Sequence, residues 1–244
     1  MPVRLYIHVD HVATLRKVRG TRYPDPVLVA QLCEAAGADG IAAHLRADRR
    51  HIEVDDLGRL KGALQTVLNL EMAPTDEMIE LASRIRPGVV TLVPEPEREP
   101  AGLELRGEAA EALQRAVATA KRRGIKVSLF IAPDVADVEQ AHAMGVEQVE
   151  LSTGEYAREA HSSAGLRELA RLVAATRRAG ELGLQVAAGQ GLTRHNLVPV
   201  VAIDGIAELD IGHAVVADAL LGGIERAVHG IRAAIERGVR LRRR

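Results

Sequence analysis

Six stretches of the chain carry side chains that can move protons or grip anions. They are HVDH (His8, Asp10, His11), AAHLRADRRH (His44, Arg46, His51), LNLEM (Glu71), VELST (Glu150, Ser152), AAGQGLTRHN (Gln190, Gly191) and ELDIGHA (Asp210, Gly212, His213). Histidine exchanges protons near neutral pH, and a glutamate at a strand end can serve beside it as base or acid. Gly191 lies in a Gly-Gln-Gly turn and Gly212 directly before the helical AVVADAL. There the backbone can approach a ligand closely and free N–H groups face an anion, so phosphate is the group these turns suit best. Arg19, in LRKVRG, and Arg46 can each hold an anion through two parallel hydrogen bonds, which allows for two anionic groups. Each residue also has a plainer reading: a hydrogen-bonded strand-end histidine, a glutamate paired with an arginine, an arginine paired with an acidic neighbour. His8 and His11 are three apart, so on a strand they face opposite sides, and no metal site is expected.

These residues need elements that bring them together. Strands are expected at Leu5–Val9, Gly40–His44, Val67–Glu71, Val89–Val93, Val127–Ile131, Gln148–Leu151, Gln185–Ala188 and Glu208–Ile211. Between them, apolar residues at helical spacing mark Pro26–Ala36, Asp76–Arg86, Ala109–Arg123, Val135–Met144 and Leu166–Leu182. YPDPV reads as a turn into the first helix, and Gly222–Gly238 as an added helix. Gly124, Gly145 and Gly183 each close a helix. Eight strands alternating with helices, with no linker, point to one α/β domain over residues 1–244, a (β/α)8 barrel with additional helices. In such a barrel the C-terminal strand ends form the functional face, and the stretches above fall there. The ends of the fourth and fifth strands, LVPEP and LFIAPD, add no further histidine. The insertion PEPEREPAGLELRG reads as a loop over one barrel end.

Composition narrows the class. With 47% hydrophobic and only 2% aromatic residues, the core must be aliphatic. A formal net charge of -1 argues against nucleic-acid binding, and the basic GVRLRRR end reads as a solvated tail. The single cysteine, Cys33, permits no internal disulfide and fits a reducing compartment. No secretory leader and no membrane span are evident, so a cytoplasmic protein is expected.

The motifs VDHVATLRKVRGTRYPDPV, AGADGIAAHLRADRRHI, LNLEMAPTDEM, VSLFIAPD, STGEYA, GLTRHN and IGHAVV together resemble the pyridoxine 5′-phosphate synthase family over nearly the whole chain. The resemblance implies an octamer of (β/α)8 barrels with extra helices. It implies condensation of 1-deoxy-D-xylulose 5-phosphate with 3-amino-2-oxopropyl phosphate to pyridoxine 5′-phosphate, phosphate and water, with no metal or organic cofactor. By the same resemblance His44 and Glu71 act as bases and Glu150 steadies the transition state. Asp10, His11, Arg46 and His51 bind the deoxyxylulose phosphate, while Arg19, Gly191, Gly212 and His213 bind the aminoketone phosphate.

The departures are specific. The family pattern at strand seven is close to NAGHGLTYHN, whose central histidine donates a proton; here it is Gln190, and the asparagine is Ala187. The family's asparagine near the end of strand one is His8, its histidine before TG is Ser152, and its asparagine before IGH is Asp210. Its substrate-binding threonine after strand four has no counterpart in PEPEREPAGLE. Glutamine cannot titrate. Since strands one and seven flank strand eight, the imidazole and the amide are expected to have exchanged places, with His8 supplying the acid. Two other readings stay open at this point: a different aldol-type or isomerising reaction on the same barrel, or a phosphometabolite-binding protein without catalysis.

Overall fold

Eight runs of β-type residues alternate with helices, and the computed structural model, which describes residues 2–94 and 102–242, closes them in chain order into one parallel barrel. The chain runs β1 (Arg4–His8), α1 (Asp10–Arg19), α2 (Pro26–Ala35), β2 (Gly40–Leu45), α3 (Val54–Ala63) and β3 (Val67–Met72). It continues through α4 (Asp76–Ile85), β4 (Val89–Leu92), α5 (Gly107–Arg122), β5 (Val127–Ile131), α6 (Val135–Ala143) and β6 (Gln148–Ser152). The last part comprises α7 (Gly154–Arg158), α8 (Ser163–Glu181), β7 (Gln185–Gly189), α9 (Leu197–Val201), β8 (Ile206–Ile211), α10 (His213–Gly222) and α11 (Ile224–Leu241). The architecture is a (β/α)8 barrel with extra helices, and all eight expected strands are present. β8 pairs with β1 to complete the ring, with Tyr6 opposite Asp210 and Ile7 opposite Ile211.

Period-two alternation divides each strand between two environments. Leu5 and Ile7, Ile41 and Leu45, Leu68 and Leu70, Val149 and Leu151, Leu209 and Ile211 are buried with the inner faces of the helices in a continuous aliphatic core. Burying one such side chain contributes about 1.5–3 kcal/mol. The intervening residues face the barrel axis and are unusually polar: Asn69 and Glu71, Gln148 and Glu150, Glu208 and Asp210 are all buried. Gln148 on β6 donates to Glu208 on β8 at 3.0 Å, and Arg4 on β1 pairs with the same carboxylate at 2.9 Å. Barrel interiors are usually filled by branched aliphatic residues; this one is lined by hydrogen-bonding groups up to its mouth.

Helix entries follow the chain's own caps. Asp25, Thr75, Asp134 and Ser162 each accept a hydrogen bond from the first turn of the helix they precede. YPDPV accordingly leads into the helix expected at Pro26–Ala36, which is α2 because another helix, α1, precedes it. α1 begins after the single residue Val9 and was hidden because its buried face includes Asp10 and Arg16 alongside Val12 and Ala13. Arg16 is tolerated there by a two-bond pair with Asp56, at 2.7 and 2.6 Å. The added C-terminal helix spans Ile224–Leu241, somewhat later than Gly222–Gly238. Of the insertion after β4, residues 95–101 lie outside the described residues; Leu103 and Leu105 beyond them are buried, and Leu103 donates its N–H to the Phe130 carbonyl. Among the described residues, no helix is long and apolar enough to cross a membrane.

One glycine is fixed by packing alone. At Gly165, buried near the start of α8, an added Cβ would overlap the carbonyl group of Glu159, whereas at exposed Gly58 in α3 it would meet nothing. Gly165→Ala is expected to cost about 1–3 kcal/mol and lower the melting temperature by several degrees. Gly58→Ala is expected to be neutral or to stabilise by about 0.5–1 kcal/mol. Thermal unfolding followed by circular dichroism checks both; equal effects of the two substitutions would contradict the packing.

Candidate functional site

The strand ends and the loops after them enclose a cavity of about 730 Å³ at the C-terminal mouth of the barrel. Its wall on the β1–β3 side is built around Asp10, the first residue of α1. One oxygen of Asp10 accepts the backbone N–H of His44 at 2.8 Å, and the other bonds His8 Nδ1 at 3.0 Å. The opposite nitrogen of the same ring, Nε2, lies 3.2 Å from Glu71 Oε1. His8 is thus a bridge between two carboxylates. Burial alone would discharge the ring, but the Glu71 charge and the hydrogen bonds to Asp10 and Glu71 outweigh it, and its pKa lies well above 6.5. Asp10 is held below its ordinary value: burial opposes this, and the bond and charge of His8 prevail.

His44 and His51 stand side by side, ring centroids 5.9 Å apart. His51 Nδ1 accepts the N–H of Ile52 at 2.8 Å, which fixes its proton on Nε2, and burial holds its pKa below 6.5. His44 Nε2 is buried with no hydrogen-bond partner among the described residues, so it is available to a ligand. Arg46 lines the cavity but is engaged with Asp48 through bonds of 3.2 and 3.1 Å, which pull Asp48 down to about 2. An anion binding Arg46 must compete with that carboxylate.

On the opposite side, the β7 turn is pinned by Thr153 Oγ1, which reaches the carbonyls of Gly189 and Gln190, both at 2.6 Å. Gln190 adopts φ +79, uncommon outside glycine, and its Oε1 accepts the Ser152 hydroxyl at 2.7 Å. Gly191, at φ +76, has a reason to be glycine that involves no ligand: a Cβ there would lie 2.7 Å from that of Ala157. Gly212 likewise makes room for His8, whose Cβ would be 2.8 Å from an added one. No side chain caps α10, so its first N–H groups are left for a ligand or water. His213 opens that helix, with its ring 5.0 Å from and edge-on to that of His11.

Glu150 and Asp210 complete the floor. Glu150 Oε2 and both Asp210 carboxylate oxygens are buried without a hydrogen-bond partner among the described residues. Burial, reinforced by neighbouring acids, raises both pKa values well above the ordinary range. For Glu150 the chief neighbour is Asp210, for Asp210 it is Glu208, and Glu71 adds to each.

His8, Asp10, His11, His44, Arg46, His51, Glu71, Glu150, Gln190, Gly191, Gly212 and His213 all line this one cavity. Arg19 does not: it is exposed on the last turn of α1. The strand ends at His8 and His11 sits in the first turn of α1, so the opposed-face argument for this pair does not hold. Among the described residues, no three His, Cys, Asp or Glu side chains are arranged to hold a metal ion. Thr14, Arg50 and Thr193 also line the cavity and were not singled out from sequence. Arg50 was legible beside His51, and Thr14 lies one helical turn beyond Asp10, a position that becomes visible only once α1 is known.

The barrel resembles solved structures in outline alone. The thiamine phosphate pyrophosphorylase of Pyrococcus furiosus superposes with a TM-score of 0.63 at 13% identity, covering 97% of each chain. The phosphoribosyl anthranilate isomerase of Thermus thermophilus gives 0.59 at 20%, covering 96% of this chain and 98% of the other. These likenesses show the fold. Sequence relatives are much nearer. Pyridoxine 5′-phosphate synthase of Syntrophotalea carbinolica is 46% identical, over 92% of this chain and 95% of that protein. The synthase of Photobacterium profundum is 45% identical, over 93% and 94%. The model of the pyridoxal phosphate biosynthesis protein PdxJ family matches residues 5–237. With its fold, its polar mouth and these relatives agreeing, the chain belongs to the PdxJ family of pyridoxine 5′-phosphate synthases.

Proposed function

We propose that this barrel condenses 1-deoxy-D-xylulose 5-phosphate with 3-amino-2-oxopropyl phosphate to give pyridoxine 5′-phosphate, phosphate and water. The observation that carries the reading is the convergence of His44, Glu71, Glu150 and His8 on one largely buried cavity beside the uncapped start of α10. Amine and ketone must condense with loss of water, protons must leave carbon, phosphate must be eliminated and the ring must close. Each step needs a base or an acid positioned around one bound intermediate. His44 Nε2 and Glu71 serve as the bases, and Glu150 steadies the developing charge. His8 holds a proton between Asp10 and Glu71 and serves as the acid, while Gln190 keeps only a hydrogen-bonding role. Asp10, His11, Arg46 and His51 bind one phosphorylated substrate; Gly191, Gly212 and His213 bind the phosphate of the other, with the first N–H groups of α10.

The partners are these two small molecules and further copies of the chain, in a cytoplasmic homo-octamer. Val18 on α1 and Leu220 and Leu221 on α10 are 75%, 71% and 91% exposed, an apolar surface that a second copy would cover. Arg19 adjoins it, and its substrate-binding role depends on such an assembly.

Incubating the protein with both phosphates and following inorganic phosphate together with the pyridoxine chromophore tests the reaction; binding of both without product would overturn it. Glu71→Gln and His44→Ala are expected to lower kcat by about 10²–10⁴ while substrate still binds.

The His8 bridge also makes a pH signature. His8 keeps its proton when folded at pH values where an unfolded histidine has lost it. Its contribution to stability is therefore complete below about pH 6.5 and fades as pH rises through the raised folded value. Asp10 acts in the other direction, its contribution fading as pH falls below the ordinary 3.8. Urea unfolding across pH should show an alkaline loss of stability in the wild type that His8→Asn lacks; identical profiles would show that the bridge is not charged.

A further inference from the structure

Asp210 and Glu150 present a demand that the protein itself leaves unmet. Each is 3% exposed, both line the cavity, and three of their four carboxylate oxygens have no hydrogen-bond partner among the described residues. Gly189 lies between them: a Cβ there would overlap Glu150 Oε1 and stand 3.2 Å from the Asp210 Cβ. The groups around Asp210 are Glu150 from β6, Glu208 on its own strand, Glu71 and Asn69 from β3, and Tyr6 and His8 from β1. Only the His8 charge and the Asn69 amide favour its ionised form, and burial with the neighbouring acids outweighs both. His8 is engaged by Asp10 and Glu71, and Arg4 by Glu208. Buried acceptors without donors are costly, and two adjacent acids ask for a group with several donors and a positive charge. A primary ammonium has three donors and that charge.

We propose that Asp210, with Glu150 beside it, forms a cation subsite for the protonated amine of the aminoketone phosphate. The inference rests on the phosphate of that substrate lying at the start of α10, as argued above. Asp210 and His213 are three residues apart, about 10 Å at full extension. A three-carbon chain with amine and phosphate at opposite ends covers that span with a hydrogen bond added at each end. In the empty cavity burial and mutual repulsion retain a proton on the acid pair, and the arriving cation displaces it to solvent. Before attack on the ketone carbon the ammonium must shed one proton. A carboxylate oxygen of Asp210 takes that proton, which frees the nitrogen lone pair. Asp210 thereby selects the amine and readies it.

Calorimetric titration of the full chain with 3-aminopropyl phosphate and with propyl phosphate tests this without turnover. The amine should bind about tenfold or more tightly than propyl phosphate. Asp210→Asn should leave propyl phosphate affinity within about twofold and reduce the amine's advantage below about threefold. Equal affinity of both compounds for the wild type, or an undiminished preference in Asp210→Asn, would overturn the subsite. Failure of both compounds to bind would overturn the phosphate reading, and the subsite with it. Should Asp210→Asn not fold, buffer-dependent heats decide the matter. Release of about one proton with the amine and none with propyl phosphate supports the subsite, and equal release from both overturns it.

Discussion

The charge balance inside the barrel governs this molecule. Asp10, Glu71, Glu150, Glu208 and Asp210 are all buried along or above the axis, and few cations are set against them. Arg4 serves the lower end through Glu208, and at the mouth His8 serves two acids at once. Removing charges from water is expensive unless they are paired, so the mouth is organised around that imidazolium. Asp10 faces it and with its other oxygen fixes the backbone of His44, so the ion bridge also sets where β2 delivers its histidine. Gly212 must be glycine for the β8 turn to clear the Cβ of His8. One residue thereby fixes the relative positions of a proposed base, the Gly212 turn and the Glu71 carboxylate.

Much of this frame was legible in the chain because strands announce themselves twice. Leu68, Leu70 and Met72 report the outer core, while Asn69 and Glu71 between them report what faces the axis. The same period brought out Glu150 and Asp210 as strand-end polar residues. What did not show was any relation that runs across the barrel. Nothing in HVDH says that His8 will contact Glu71, 63 positions on, or that α1 begins after a single intervening residue. Burying Asp10 and Arg16 breaks the apolar rhythm by which helices are recognised, and Arg16 is buried only because Asp56 awaits it on another helix. Arg19 was read as a site residue by its type and neighbours, but the helix carries it away from the cavity of its own barrel.

The departures from the family pattern take on a common meaning in this setting. An imidazole at position 8 introduces a cation at the acidic end of β1, and Asp210 in place of an amide introduces another acid on the adjacent strand. Position 190 gives up a titrating group and position 152 an imidazole. In this chain titrating groups stand on the β1 and β8 side of the mouth, at His8 and Asp210, and His44 and Glu71, the proposed bases, stand on β2 and β3. The mouth stays polar, and its charge is concentrated on the β1 and β8 side of the ring.

The contact between Ser152 and Gln190 ties two of these departures together. The glutamine amide lies over Gly154, in a backbone conformation that few side chains adopt, and its oxygen is held by the Ser152 hydroxyl on the neighbouring strand. These two positions form one interlocked unit. A histidine restored at 190 alone would meet a serine hydroxyl, with the imidazolium still lodged at position 8. Both imidazoles would then share one mouth, so what a side chain does at position 190 depends on those at 152 and 8.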